Sequence, residues 1–590
     1  MLPQAELVFL IPIFVAPFIL LTGRRGRDIG FLISLFTVLT SLLLSIKIFK
    51  EVALDGKTLI GEDVYLWSFK ITPYYIDGIS AVMLLLVSLI GFLVVLYSPG
   101  YMTGSHGEYG LNRYYSLITL FIGSMLMLVS SPNLLIIFAA RELVGLCSYA
   151  LIGFRNRKTT TGPAAAKAMI TTRIGDVLLI AAIGLIYLYT GTLDIRYIGS
   201  LNNEIRLIGV LLVLGAFAKS AQIPFIGRLR DAMEGPTTVS ALIHAATMVN
   251  AGVYLVVRSL PLLSLDRFDL LFVAYFGGIT AFLAATMALV DNDVKRVLAY
   301  STISQLGYMF MAAGVAGYVA AMYHLVSHAF FKALLFLSAG AAIVATHTRD
   351  ARKYRLREPL KISGIAFLIG GLALAGIPPT SGFYSKEKII STLGESGLMP
   401  VYRLAILTAF LTAFYIFRIR SLLYFRGEPY EAKESRILLI PIYTLVVFIL
   451  AFPIYHEKLL ERLGRAYNSV SLYSFGSSIG IREYLPTTLA SIGLLLGLYY
   501  IKRDLPTIRP LRILLARRYF IDDLYKIIAK AFFLLGIGLK RFDSYVDLFY
   551  AKLSRGFYKS GELFGRFRGS YLGYVTLIVL LVIIGVVIVL

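Results

Sequence analysis

Six ionisable residues lie inside segments that otherwise read as membrane-spanning helices: Glu142, Lys219, His244, His324, His328 and Lys332. Each such group costs ~2.5–3.5 kcal/mol at the centre of a bilayer by insertion scales. A chain that keeps so many through its middle is expected to move charge with them. Protons suit the set best, because carboxylate, imidazole and amine can all carry one. His324, His328 and Lys332 are spaced by four residues, so a helix projects all three from nearly one face. The alternatives are a polar stripe tying helices together or a histidine metal site. The repetition favours the proton path, and no third soft or acidic ligand stands near in the sequence.

Glu142 and Lys219 form a second constellation, able either to share a proton across a helix interface or to stand as a fixed buried ion pair. Lys219 lies just before a helix break, where water can reach it. His244 sits in a run of small residues, 240–248, that permits close helix packing and places it between the two groups. Lys386 and Glu387 follow a second break, Lys386 as an exit group and Glu387 with surface solvation nearly as good an account. Asp176, three residues after Arg173, reads as one half of a structural i,i+3 pair, and Asp293, Lys295 and Arg296 as anchors in a short turn.

The elements that must hold these groups are apolar almost end to end. Of 590 residues, 58% are hydrophobic and 15% charged, which fits an all-α polytopic membrane protein. A β-barrel is excluded because its strands would alternate polar and apolar residues. The first run, from Leu7, has no basic stretch before it and is expected to be a retained helix rather than a signal peptide. Cys147 alone cannot build a disulfide or a cysteine-rich metal site, and no glycine-rich phosphate loop opens a helix. If electrons or nucleotides take part in this protein's work, another subunit handles them. The net charge of +23 reads as loop bias toward a negative membrane face, not as nucleic-acid binding.

The spans expected are 5–22, 29–49, 78–98, 114–131, 133–153, 165–190, 206–226, 239–258, 269–290, 296–314, 319–345, 361–395, 401–425, 436–454, 486–501 and 571–590, about sixteen transmembrane helices. The seventh is interrupted at Gln222-Ile223-Pro224 and the twelfth at 376–382, and broken backbone at membrane depth requires protein or water to cover it. Breaks five helices apart suggest two inverted five-helix repeats. The organisation is then 1–113 (helices 1–3), 114–258 and 259–425 (the repeats), 426–501 (helices 14–15), 502–570 and 571–590. Basic loops at Arg24-Arg25-Arg27, at Arg155, Arg157 and Lys158, and at 346–361 share one side, so both termini are expected outside the cytoplasm. Segment 502–570 carries fifteen Lys/Arg and six Asp/Glu between apolar residues at helical intervals, and reads as a long amphipathic helix along the cytoplasmic face, bent near Gly536 and Gly538.

The stretches 142–149, Ala218-Lys219-Ser220-Ala221-Gln222-Ile223-Pro224, 235–237, 239–249, 293–309 and 328–336 are long and specific, and through them the chain resembles the NuoL-type antiporter-like subunit of respiratory complex I, with its F420H2-dehydrogenase and Mrp-antiporter relatives. The resemblance covers residues 70–425 strongly. It implies sixteen helices, inverted repeats with broken helices seven and twelve, and proton translocation. It assigns the helix-five glutamate to Glu142, the helix-six acid to Asp176, the central lysine to Lys219 and the next relay position to His244. It assigns the helix-eleven relay to His324, His328 and Lys332, and the terminal lysine with its acid to Lys386 and Glu387. It further implies a lateral helix entered at 518–525 that contacts other membrane-arm subunits, with FMN, iron–sulfur clusters and quinone in partner subunits and none here. The bilayer is then the inner cell membrane. Arg141 stands where the family commonly has tryptophan, Arg228 and Arg230 stand in its usual Trp-Leu-Pro stretch, and Thr238 replaces a proline. Arg141 is expected to act on Glu142. The competing readings are an Mrp-type Na+/H+ antiporter subunit and a structural membrane anchor.

Overall fold

The computed structural model describes residues 4–22, 26–66, 69–104, 110–155, 159–198, 205–431, 434–464, 484–499, 509–565, 575–576 and 578–582. They form two units, 1–516 and 517–590. In the first, helices follow one another in the order α1 (Gln4–Leu21), α2 (Gly26–Phe49), α3 (Gly78–Gly104), α4 (Leu111–Ser130), α5 (Leu134–Ile152), α6 (Thr161–Thr190), α7 (Ile205–Ser220), α8 (Gly227–Asp231), α9 (Thr237–Ala245), α10 (Asn250–Arg258), α11 (Leu260–Leu263), α12 (Arg267–Val290) and α13 (Val294–Ala313). They continue with α14 (Tyr318–Thr346), α15 (Lys361–Ala375), α16 (Ser381–Glu395), α17 (Met399–Phe425), α18 (Arg436–Gly464), α19 (Tyr484–Tyr499) and α20 (Arg509–Ala516). Among the described residues ten helices are long and apolar enough to cross a membrane. This is a multi-pass membrane protein.

Local chemistry sets the helix starts. Asn133 accepts from the backbone N–H groups of Leu135 and Ile136, and Asp293 from those of Lys295 and Arg296, so each caps its helix. Asp293 is thus a cap rather than a simple surface anchor. The seventh expected span breaks where α7 ends at Ser220, with Ala221 left-handed at φ 51°, before the short α8. The twelfth divides into α15 and α16, and Gly376 at φ 79° supplies the left-handed residue that closes α15.

A third break was not expected. The span 239–258 is interrupted at 246–249, dividing α9 from α10. Two side chains cover carbonyls freed there: Thr247 donates to the Leu242 oxygen at 2.7 Å and Asn250 to the Ala245 oxygen at 2.6 Å. Ser220, at the end of α7, donates to the Val249 oxygen at 2.7 Å and locks this break to the first. No proline or glycine marks the spot, so only the polar residues Thr247 and Asn250 signalled it.

The core is built on α14, whose side chains are buried from Tyr318 to Ala342, and which packs against α3, α9, α13, α15, α16 and α18. Helices α9, α10 and α13 are also almost wholly buried. The perimeter carries exposed Phe14, Phe36, Ile170, Val177, Leu188 and Val447, as lipid-facing helices do. Short strands decorate three loops: Leu59–Ile60 pairs with Tyr75–Ile76 and Val64–Leu66 with Phe69–Ile71, both antiparallel, and Tyr354–Arg355 pairs with Glu428–Pro429 in parallel.

The second unit contains α21 (Ile521–Gly565), 45 residues or about 67 Å of helix. It begins later than the expected 502, after a turn in which Arg518, Tyr519 and Phe520 are left-handed, and runs unbroken through Gly536 and Gly538. Positions 502–508 and 566–570, most of the expected span 571–590, and Arg24, Arg25, Arg157 and Lys158 of the basic loops lie outside the described residues.

The turn before α9 is clamped to the loop after α14 by Arg349, which donates to both carboxylate oxygens of Glu234 at 3.2 and 2.9 Å. Burial works to raise the Glu234 carboxyl, but the hydrogen bonds and charge of Arg349 outweigh it and hold the group below its usual range. A depressed carboxyl stabilises the fold above its unfolded value of about 4.3 and loses that contribution as pH falls through the folded value. Glu234→Gln is therefore expected to cost about 1 kcal/mol at pH 7. The gap in melting temperature to the parent should narrow as pH falls below about 4.3 and close only below the depressed folded value. A gap independent of pH would show that the bridge contributes nothing through its charge.

Candidate functional site

The first charged group is assembled where α5, α6, α7 and α8 meet. Gly175 on α6 lies against Ala218 on α7 so closely that a Cβ there would overlap it, and this approach brings Asp176 and Lys219 together. Gly145 on α5 leaves room for the Lys219 ammonium, which would lie 3.0 Å from a Cβ at that position. Lys219 Nζ stands 3.5 Å from Asp176 Oδ2 and 3.9 Å from Glu142 Oε1, and donates to the Arg141 carbonyl at 3.3 Å. Lys219 and Glu142 do face one another as expected, but Asp176 is the nearer anion.

Three further details correct the sequence reading. Glu142 lies mid-way along α5 with its side chain 19% exposed, and it pairs first with Arg173, itself 44% exposed. Asp176 is only 4.0 Å from Arg173, and its closer partners are Arg141 at 3.2 Å and Lys219, so it is no simple i,i+3 pair. Arg141 reaches Asp176 and the Gly215 carbonyl rather than Glu142. Three cations, Arg141, Arg173 and Lys219, thus surround two carboxylates. Arg228 donates to the Lys219 carbonyl, one of the α7 carbonyls left over at the break, and reaches Met248 Sδ at 3.9 Å in the next break.

The second group runs along α14. His324 Nδ1 lies 2.9 Å from Ser385 Oγ on α16, and Nε2 lies 3.0 Å from Gln305 Oε1 on α13. The His328 ring centroid is 6.4 Å from that of His324. Lys332 donates to Ser301 Oγ and, at 3.3 Å, to the Leu298 carbonyl. One turn further, Phe336 carries the row to His244 on α9, their rings 4.8 Å apart. His244 therefore does join α14, through an aromatic contact. Both ring nitrogens of His244 and both of His328 have no hydrogen-bonding protein atom among the described residues, although all three histidines are fully buried. Buried imidazole nitrogens call for hydrogen-bonding partners.

Lys386 on α16 is buried and folds back to donate to the Leu374 carbonyl at 2.7 Å, a carbonyl orphaned where α15 ends. Its ammonium also lies 5.5 Å from the Tyr308 ring centroid. Glu387 is half-buried, one position along the same helix. Lys295, expected as an anchor, is buried and donates to the Met233 and Gly235 carbonyls at 2.8 and 2.7 Å. Sequence reasoning missed Gln305, Ser301 and Ser385. The first two were visible as polar residues four apart within the polar middle of α13, Ser301 to Gln305. A polar pocket of about 380 Å³ opens beside the α12–α13 turn, lined by Arg230, Asp291, Asp293, Arg296, Tyr300 and Arg352. Tyr300 adjoins Ser301, the partner of Lys332.

Comparison with known proteins adds independent findings. Residues 131–412 match the family described as NADH:quinone oxidoreductase/Mrp antiporter, transmembrane, and residues 68–115 match the NADH-ubiquinone oxidoreductase (complex I) chain 5 N-terminus. The chain is 40% identical over 487 residues to the NADH-quinone oxidoreductase subunit L of Campylobacter jejuni, covering 80% of each chain. It is 45% identical over 385 residues to the chloroplastic NAD(P)H-quinone oxidoreductase subunit 5 of Zygnema circumcarinatum, covering 61% of this chain and 54% of that one, about half the relative's length. Among solved structures, the Mrp complex from Dietzia sp. aligns at a TM-score of 0.74 with 27% identity, over 89% of this chain and 60% of that chain.

The approach of α6 to α7 yields a direct test. Gly175→Val should push the helices apart and separate Asp176 from Lys219, lowering any transport that depends on the pair by at least about tenfold. Gly184→Val on the same helix, with open space around it, should leave transport intact. Equal transport in both variants would show that the spacing is immaterial.

Proposed function

The chain belongs to the NADH:quinone oxidoreductase/Mrp antiporter family, and from that premise we propose that it is the lateral-helix-bearing, proton-translocating membrane subunit of a complex I-like oxidoreductase. The observation that carries this reading is the row of buried protonatable side chains, Lys386, His324, His328, Lys332 and His244, each placed beside a hydroxyl, a carbonyl or an unpartnered imidazole nitrogen. A packing scaffold has no use for imidazoles whose both nitrogens lack a protein partner.

The geometry supports one order of steps. Redox chemistry in other subunits changes the charge near the exposed edge of Glu142. Arg173 and Glu142 respond, because they lie nearest the perimeter. The balance around Asp176 then shifts, and Lys219 gives up its proton through water toward His244. The imidazoles take it on one nitrogen and release one from the other, and Lys332, His328 and His324 pass it toward Lys386. The pocket at Arg230, Tyr300 and Arg352, beside the α12–α13 turn, is the uptake vestibule in this reading, and Lys386, with Glu387 beside it, is the exit.

In this reading sixteen helices cross the inner cell membrane with both termini outside the cytoplasm, and helices 4–8 and 9–13 form two inverted repeats. α21 lies along neighbouring membrane-arm subunits, where its basic, apolar-faced length finds partners. FMN, iron–sulfur clusters and quinone reside in those partners. The fold likeness to the Dietzia Mrp complex supports a second reading, a Na+/H+ antiporter subunit.

The assembled complex in sealed vesicles decides between them. Lys219→Ala and Lys332→Ala should each cut proton uptake per electron at least about tenfold while the complex still assembles. Unchanged uptake in both would reject the relay. Sodium-dependent proton flux without an electron donor would support the antiporter reading instead.

A further inference from the structure

Behind the relay helix lies a cavity that the proton path does not use. It occupies about 520 Å³ between α2 and α18, over α3 and α14, and is lined by Leu86, Val326, Phe330, Phe448, Tyr455 and Lys458 among others. Helix α2 packs on α3, and α18 packs on α3 and α14, so a cleft remains between the two walls. The lining is aliphatic and aromatic except at one end, where Tyr455 and Lys458 stand, Lys458 being the one charged residue of the set. The Tyr455 hydroxyl already donates to the Phe448 carbonyl at 3.0 Å.

Shape and chemistry narrow the occupant. The lining spans residues 42–49 on α2, 82–89 on α3 and 448–459 on α18, so the slot runs about 10–16 Å along the helix axes. Water would find almost no partners there, which excludes a hydrated site. A helix, with a diameter of roughly 10–12 Å, is too thick for a slot of this volume. A flexible hydrocarbon chain parallel to the helices fits, and the exposed ammonium of Lys458 at its end suits a phosphate.

We propose that the cleft holds one acyl chain of an anionic phospholipid, with its phosphate at Lys458. Val326 and Phe330 form the floor on α14 and alternate with His324, His328 and Lys332 along the same helix. An offset of two residues turns about 200°, so the lipid bears on the face opposite the relay. The occupant lies over Val326 and Phe330, the latter stacked on Phe448 with ring centroids 5.0 Å apart. Binding stands independently of the proton reading, and only an effect on flux would rest on it.

The test uses the assembled complex in vesicles of phosphatidylcholine and phosphatidylglycerol, with a photoactivatable diazirine on the acyl chain of one lipid or the other. Adducts are mapped by peptide mass spectrometry. The phosphatidylglycerol probe should label peptides around Phe330 and Phe448 roughly fivefold more than the phosphatidylcholine probe, and Lys458→Gln should erase that preference. Leu86→Trp, which fills the slot, should remove the adducts there for both lipids while labelling elsewhere persists. Labelling spread evenly over the perimeter helices would overturn the proposal. So would a preference unchanged in Lys458→Gln, a surface change that leaves folding intact.

Discussion

A broken helix in hydrocarbon leaves carbonyl groups with no water to satisfy them, and a buried cation there needs an acceptor. The two demands are met together in this chain. Arg228 donates to the Lys219 carbonyl at the end of α7, and Lys386 donates to the Leu374 carbonyl at the end of α15. The negative ends of two half-helices thus hold two positive side chains at membrane depth. The difference lies in the groups: guanidinium stays protonated, whereas an amine can release its proton. The first break is closed by a permanent charge beside a titratable lysine, and the second by the titratable lysine itself.

Close packing places everything else. Gly175 and Ala218 bring α6 onto α7, so an acid on one helix reaches an amine on the other. Ser220 ties the first break to the α9–α10 break, which puts His244 within the same rigid frame as Lys219. On the far side α13 and α16 present hydroxyls and an amide to α14, so His324 and Lys332 each lie beside a polar neighbour. The charged side chains are costly singly. Those of the first group persist as a mutually paired set, and Lys332 and Lys386 by donating to backbone carbonyls.

Much of this was legible in the residues. Apolar runs of membrane length marked the spans, and the proline-containing interruptions at Pro224 and Pro378-Pro379 marked two breaks, because backbone chemistry is local. His324, His328 and Lys332 announced a common face through their spacing alone. Partner choice was harder to read, since it depends on how helices cross. Arg141 is adjacent to Glu142 in sequence, yet it points to Asp176 on another helix, as consecutive helical residues diverge by about 100°. The break after Ala245 escaped for a related reason: Thr247 and Asn250 look like ordinary polar residues until their bonds to freed carbonyls are seen.

The central claim is that water joins the buried imidazoles and amines into one route. A density map of the assembled complex at a resolution that reveals ordered water tests it most directly. The account predicts waters bonded to the ring nitrogens of His244 and His328, continuing to Lys332 on one side and toward Lys219 on the other. Dry apolar packing around those nitrogens, with no solvent between the two charged groups, would contradict it.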